Sequence, residues 1–322
     1  MKDTTAPFDF IEQSVKELDF PVEGNPLEKI EYCCRTSYKS HDRTKEGSAE
    51  KLFDIIYSNK HLSVLEHVYY ILDLNHLYSA DYITPNCYIN TMEIYEHMMY
   101  HWHIKKFVTA ELLGGMFAMN LRTLVELFKV CSEENVLIRL ILLAAVPEAI
   151  FTKITGEEVT EDMRTTPLPD KTLIEHPEYH TFEIVTTRSI ANEIVRHRQL
   201  SFTQESTRYV NYNKKPMLFI NPSTDNVNEG CIVDFYEACS AAYDAYTRLL
   251  TCAVKPQFAR DVLPLGLATT IVVTGLDYAW RDFLALRTNK SAHPMIREIA
   301  EKIEEAIGPV EEKEEVGAED AV

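Results

Sequence analysis

Apolar and polar positions alternate most clearly over Thr181–Thr187, where Phe182, Ile184 and Thr186 share one face, the period of a half-buried strand. The period then changes. Ile190 pairs with Ile194 and Ala191 with Val195, four apart, which predicts a short amphipathic helix. Asn25-Pro26 reads as an N-cap and first-turn proline, opening a helix through about Cys34. Residues 49–59 predict a helix with Leu52, Ile55 and Ile56 on one face, and His67–Leu74 predicts a strand. Helices are expected over 91–106, 120–131 and 135–155, the last apolar and buried. The stretch from Ile104 to Ala118 fits either strand or helix, and 156–179 reads as a charged, proline-bearing excursion. Further on, 234–252 predicts a helix capped by Asp234, and Pro256 opens another that stops before Pro264. Leu267–Gly275 is β-branched and strand-like. Asp277 is expected to cap the helix that follows, and Pro294–Ile307 predicts a last helix. Strands and helices mix without regular βαβ alternation, which indicates an α+β class.

Composition narrows the classes. The chain has 322 residues, 46% of them hydrophobic, with a formal net charge of −18. That length suits two domains or one large domain with an insertion. The acidity disfavours a nucleic-acid coat or a binder of anionic membrane, since both present like charge. From Pro309 to Val322 six carboxylates face only Lys313, a tail that reads as solvated and disordered. No secretory signal is expected from MKDTTAPFDF, and the longest apolar run, Leu140–Val146, falls far short of the ~20 residues a membrane span needs. Seven cysteines form no Cys-x-x-Cys pair, so reduced, mostly buried thiols in a cytoplasmic protein are expected.

The densest chemistry lies in Arg196-His197-Arg198-Gln199-Leu200-Ser201-Phe202-Thr203-Gln204-Glu205-Ser206-Thr207-Arg208-Tyr209. Arginine forks match phosphate oxygens in pairs, and a helix-to-loop passage leaves backbone donors free. Arg-His-Arg, seven residues, then Ser206 and an Arg-Tyr resembles the signature of the flavin-dependent thymidylate synthases. Other segments are similar to that family in its order. Cys34-Arg35-Thr36-Ser37-Tyr38 resembles Ala-Arg-x-Ser-Phe, and His61-Leu62-Ser63-Val64-Leu65-Glu66-His67 resembles His-x-Thr-Pro-x-Glu-His. Ala259-Arg260-Asp261-Val262-Leu263-Pro264 resembles Ala-Arg-x-x-Leu-Pro, and Asp282-Phe283-Leu284-Ala285-Leu286-Arg287 resembles Asn-Phe-Leu-x-Leu-Arg.

The resemblance implies an α+β thymidylate synthase-complementing-like fold, with a mixed or antiparallel sheet flanked by helices. It implies one such domain over 1–308, interrupted by a mainly helical insertion at about 68–179, with 309–322 as the acidic tail. It further implies a methyltransferase that makes thymidylate from deoxyuridylate, with methylenetetrahydrofolate as carbon donor, FAD as hydride source and NADPH as its reductant. A homotetramer with shared active sites follows from the same likeness. By position, Ser37, Ser63, Glu66, Arg196, His197 and Arg198 are expected at the flavin. Glu193, Gln204, Ser206, Thr207, Arg208, Arg260 and Arg287 are expected at deoxyuridylate, with His61 shaping the folate side. Arg287 is the catalytic candidate, polarising the uracil ring. Ser206 is the second catalytic candidate; as a nucleophile it requires a nearby base, so a binding role is preferred.

The chain departs from the pattern in places. Asp282 stands where asparagine is common, Ser291 where a flavin-contacting histidine is common, with His293 two residues on, and Leu276 where asparagine often sits. Within the insertion, Asn120-Leu121-Arg122 resembles a flavin-contacting Asn-x-Arg segment; a helix cap followed by an exposed arginine is the plainer reading. Cys87 lacks the neighbouring histidine of the classical synthases' cysteine nucleophile. Among His97, His101 and His103 the first two, four apart, share a helix face, but no third metal ligand is specified, so no metal site is expected. A non-catalytic nucleotide- or flavin-binding regulator on the same fold is the alternative.

Overall fold

The structure is a computed structural model that describes residues 8–20, 25–75, 91–98, 109–113, 116–131, 135–166, 168, 172–175, 179–222 and 229–309. The chain opens with two short strands, β1 (Phe8–Ile11) and β2 (Ser14–Glu17), then helices α1 (Pro26–Tyr38) and α2 (Ser48–Ser58). Asn25 Oδ1 accepts from the Leu27 N–H at 3.0 Å, the expected cap, and α1 runs four residues beyond the predicted end at Cys34. A 3₁₀ turn (Leu62–His67) leads into β3 (Tyr69–Asp73).

Helix α3 covers 91–98. It is followed by β4 (Thr109–Leu113), β5 (Met116–Asn120), α4 (Leu121–Val130), α5 (Val136–Ala145), α6 (Glu148–Thr155), α7 (Glu161–Thr165) and β6 (Leu173–Glu175). The C-terminal half contains β7 (Tyr179–Thr187), α8 (Arg188–Ile194), β8 (Ser201–Gln204), β9 (Met217–Ile220), α9 (Glu229–Thr251), α10 (Pro256–Ala259), β10 (Ala268–Leu276), α11 (Asp277–Arg287) and α12 (Pro294–Ile307). The α+β class holds.

The central sheet has the order β2-β7-β10-β8, antiparallel throughout. β7 and β10 pair along their full length, from Ala268 opposite Thr187 to Leu276 opposite Tyr179. One face of this sheet is apolar. Phe182, Ile184, Ile271 and Val273 pack against Ile190 and Ile194 of α8, Trp280 and Phe283 of α11, and Ile296, Ile299 and Ile303 of α12. The other face is lined by hydroxyls, with Thr181, Ser201, Thr203 and Thr274 all buried. A second antiparallel sheet has the order β4-β5-β3-β6, and β1 pairs parallel with β9.

Four sequence expectations are corrected. In α2 the buried set is Ala49, Phe53 and Ile56, spaced i, i+4, i+7, whereas Ile55 is 59% exposed. The run 135–155 is two helices, because Pro147 supplies no N–H to continue α5 and serves as the N-cap residue of α6. Helix α9 begins at Glu229, so Asp234 lies inside it; Leu276 is the N-cap residue of α11, and the Asp277 carboxylate instead receives Arg281 Nε at 3.1 Å.

Residues 68–179 hold more helix than strand, yet they also build the whole second sheet. They do not form a core of their own. Phe53 and Ile56 of α2 and Leu65 of the 3₁₀ turn share one apolar cluster with Leu72, Phe117, Leu124, Ile141 and Phe151. That cluster runs from Leu27 to Ile154.

Candidate active site

The strongest constellation lies where α8 and α11 end. Thr187 Oγ1 accepts from the Ile190 N–H at 3.1 Å and starts α8 at the foot of β7. After Ile194 the chain turns, with Arg196 N–H donating to Glu193 O at 3.2 Å and His197 N–H to Ile194 O at 3.1 Å. Arg287 is the last residue of α11. Its Nε donates to His197 Nε2 at 2.9 Å and its Nη1 to Glu193 Oε2 at 3.2 Å. His197 Nε2 is therefore the acceptor nitrogen, and the ring is neutral. Burial first, and the Arg287 guanidinium second, lower the His197 pKa to about 4. The ring meets Phe283 edge-on at 4.8 Å between centroids. Two of the five guanidinium N–H groups are thus tied down and the fork is fixed in orientation.

A second group joins α1 to the turn after β8. The Ser206 N–H donates to Ser37 O at 3.0 Å, and the Tyr209 and Val210 N–H groups donate to Ser206 O at 3.1 and 3.0 Å. Ser206 Oγ accepts from the Arg208 N–H at 3.3 Å. No base lies within hydrogen-bond reach of that hydroxyl among the described residues. Thr207 is buried, while Arg208 is exposed with its guanidinium 5.3 Å from the Tyr209 ring centre. Gln204 Nε2 donates to Thr269 Oγ1 at 3.2 Å.

The third group is the 3₁₀ turn. Ser63 and His61 are exposed, and Glu66 is half-buried and paired with Arg122 Nη1. Asn120 is the N-cap of α4, its Oδ1 accepting from the Thr123 N–H at 3.0 Å. The cap of the plainer reading is present, but Arg122 is half-buried rather than exposed and meets a carboxylate expected at the flavin. Asn120→Ala is expected to cost ~1 kcal/mol of stability through loss of that cap, read by thermal unfolding. His293 likewise caps a helix: its Nδ1 accepts from the Met295 N–H of α12 at 3.2 Å. Ser291 Oγ turns back onto Asn289 Oδ1 at 2.8 Å.

Thus Glu193, His197 and Arg287 meet directly, Ser37 meets Ser206, and Glu66 meets Arg122. Arg196, Arg198 and Arg208 are exposed and pair with no carboxylate among the described residues. Arg260 sits in the turn after α10, 3.9 Å from its own neighbour Asp261. Cys87, His101 and His103 lie outside the described residues; His97 is half-buried on α3. Cys33, Cys34, Cys131 and Cys239 are buried free thiols, and burial raises Cys33 to about 12.

Three residues of this region were not singled out from the sequence. His67 is fully buried between strands, with Nδ1 2.8 Å from Thr274 Oγ1 and Nε2 2.9 Å from Thr203 Oγ1. It pins the turn that carries Ser63 and Glu66 to the hydroxyl face of the central sheet. Arg188 donates to Thr269 Oγ1 at 3.2 Å and to Glu205 O at 3.2 Å. Glu205 is itself buried. The period-2 pattern of β8 and β10 points these threonines inward, but nothing in it names their partner.

Residues 157–310 match the family described as thymidylate synthase complementing protein. A flavin-dependent thymidylate synthase of Mycolicibacterium vanbaalenii is 34% identical over 143 residues, covering 40% of this chain and 56% of that protein. One from Tropheryma whipplei is 34% identical over 127 residues, covering 34% of this chain and 53% of that protein. The chain thus spans a little over half the length of the curated relatives it matches. A solved structure of a UMP/dUMP methylase, PolB from Streptomyces cacaoi bound with 5-Br dUMP, overlaps 93% of this chain and 91% of its own at 16% identity. Its TM-score of 0.39 is too loose to bear on the reading. Residues 157–310, just under half of the chain, are thus similar to the thymidylate synthase complementing protein family.

Proposed function

We propose that the protein is a flavin-dependent thymidylate synthase, converting deoxyuridylate to thymidylate with methylenetetrahydrofolate as carbon donor and NADPH-reduced FAD. The observation that carries this reading is the Arg287 guanidinium held between His197 and Glu193. A guanidinium stays protonated, so a fixed fork can stabilise negative charge on the uracil oxygen as the ring is reduced. The neutral His197 accepts from Arg287 and holds its plane, and Glu193 balances its charge. Ser206, Thr207 and Arg208 suit the nucleotide phosphate: the arginine is exposed and pairs with no carboxylate among the described residues, and the turn is anchored by backbone bonds.

The donor set also fits a flavin dinucleotide. Arg196 and Arg198 stand exposed, with no carboxylate partner among the described residues, on a chain of net charge −18, a local cation pair suited to a pyrophosphate. Ser37, Ser63, Glu66 and His197 would complete its surroundings. When bound, the flavin supplies the hydride; the protein binds, orients and polarises. Arg260, His61 and the exposed arginines are read as meeting ligands across subunits of a cytoplasmic homotetramer. No helix among the described residues is long and apolar enough to cross a membrane.

The test is the visible spectrum of the purified protein, followed by thymidylate formation coupled to NADPH oxidation. A yellow protein that turns over is the expected result. A colourless protein that binds deoxyuridylate without turnover overturns the catalytic reading in favour of a regulator on this fold.

A further inference from the structure

Glu205 precedes Ser206 and is only 3% exposed, a burial that carboxylates rarely undergo without partners. Tyr212 Oη donates to its Oε1 at 2.7 Å, and Lys39 Nζ lies 3.5 Å from its Oε2. The Lys39 ammonium also stands 5.8 Å from the Tyr212 ring centre. The backbone of Glu205 is held as well, its N–H donating to Thr270 O at 2.8 Å and its C=O accepting from Arg188 at 3.2 Å.

Lys39 is the C-cap residue of α1, with φ +49°, a left-handed conformation that costs a residue bearing a side chain. Two residues earlier, Ser37 O receives the Ser206 N–H. The end of α1 and the turn after β8 are therefore tied twice, once through backbone and once through an ion pair buried at its Glu205 end. Apolar side chains of similar volume would fill such a place at less desolvation cost if stability alone were served. What an ion pair with a hydrogen-bonded tyrosine adds is a single geometry.

We propose that Glu205, Lys39 and Tyr212 form a positioning clamp that sets the Ser206–Arg208 turn for the phosphate of the nucleotide substrate and ties it to the Ser37 end of α1. This rests on the reading of that turn as the nucleotide's phosphate site. Glu205 touches no reacting atom; it acts through the turn. Lys39 is partly exposed and Glu205 is not, so the clamp can be opened from either side without hollowing the core.

The test is calorimetric titration of the flavin-loaded protein with deoxyuridylate, for wild type, Glu205→Gln, Lys39→Met, Lys39→Arg and the Glu205→Gln/Lys39→Met pair, with steady-state kinetics beside it. Glu205→Gln and Lys39→Met are each expected to weaken binding about tenfold, the usual scale for a lost charge-assisted contact. KM should rise in step while kcat stays within about twofold, because the lost contact serves substrate and transition state alike. The double variant should be no worse than either single, and Lys39→Arg should bind as wild type does. Folded single variants with wild-type affinity overturn the clamp. So does a loss that adds across the double variant and takes the flavin absorbance with it, since that marks general loosening. Wild type that binds no deoxyuridylate overturns the phosphate-site reading itself, a result separable from failure of the clamp alone.

Discussion

Arg287→Ala is expected to lower kcat by about 10²–10³, the scale seen when one preorganised donor to a developing oxyanion is removed. The effect should fall on turnover more than on flavin retention, because the exposed Arg196 and Arg198, read as the partners of the flavin's pyrophosphate, are left in place. A second readout follows from the same geometry. With the guanidinium gone, the His197 pKa should rise from about 4 toward its ordinary 6.5, stopping short because burial is the larger cause of its depression. NMR titration of the ring protons reads this directly. Arg287→Lys should also fail, since an ammonium cannot meet both partners as a planar fork does. Full turnover in Arg287→Ala would remove this residue from the chemistry.

Acid lability is the second large expectation. His67 is buried without a carboxylate partner among the described residues, and burial lowers its pKa from 6.5 to about 3. The unfolded chain therefore binds this proton below about pH 6.5 and the native chain does not until near pH 3. Stability is fully present above pH 6.5 and is lost as pH falls through that window, at up to ~1.4 kcal/mol for each unit. His197 adds a shallower loss of the same sign, down to about pH 4. The melting temperature should drop steadily between pH 6.5 and 5, above the range where carboxylates titrate. His67→Gln should be less stable at pH 7 yet show a flatter slope across that interval. A wild-type melting temperature that stays level from pH 7 to 5 would mean His67 is not held neutral in the sheet.

Much of this was legible in the chain. Strands β3, β7 and β10 and helices α8 and α12 follow from local period and proline placement, since their apolar sets are regular. The Arg-His-Arg segment and Arg287 are far apart in sequence but belong to one resemblance, so their meeting was foreseeable in kind, though not the Nε–Nε2 bond. Three things were not legible. Phe53 and Ile55 stand about 200° apart around one helix, and eleven residues with apolar positions on both sides do not say which side is buried. Strands β4 and β5 flank Gly114-Gly115 in the sequence, where an apolar run reads equally as helix. The inward polar face of the central sheet carries threonines that look like ordinary strand formers, so the histidine seated between them had no signal of its own.

The first apolar cluster has a consequence for any attempt to trim the chain to the size of a shorter relative. Joining residue 67 directly to 180 would remove Leu72, Phe117, Leu124, Ile141 and Phe151 from the faces of Phe53, Ile56 and Leu65. The remaining helices would carry an unsealed apolar wall into water, and the turn bearing Ser63 and Glu66 would lose its backing. The region 68–179 is thus masonry rather than ornament: the stretch that departs furthest from the family's pattern is also what holds one side of its expected site upright.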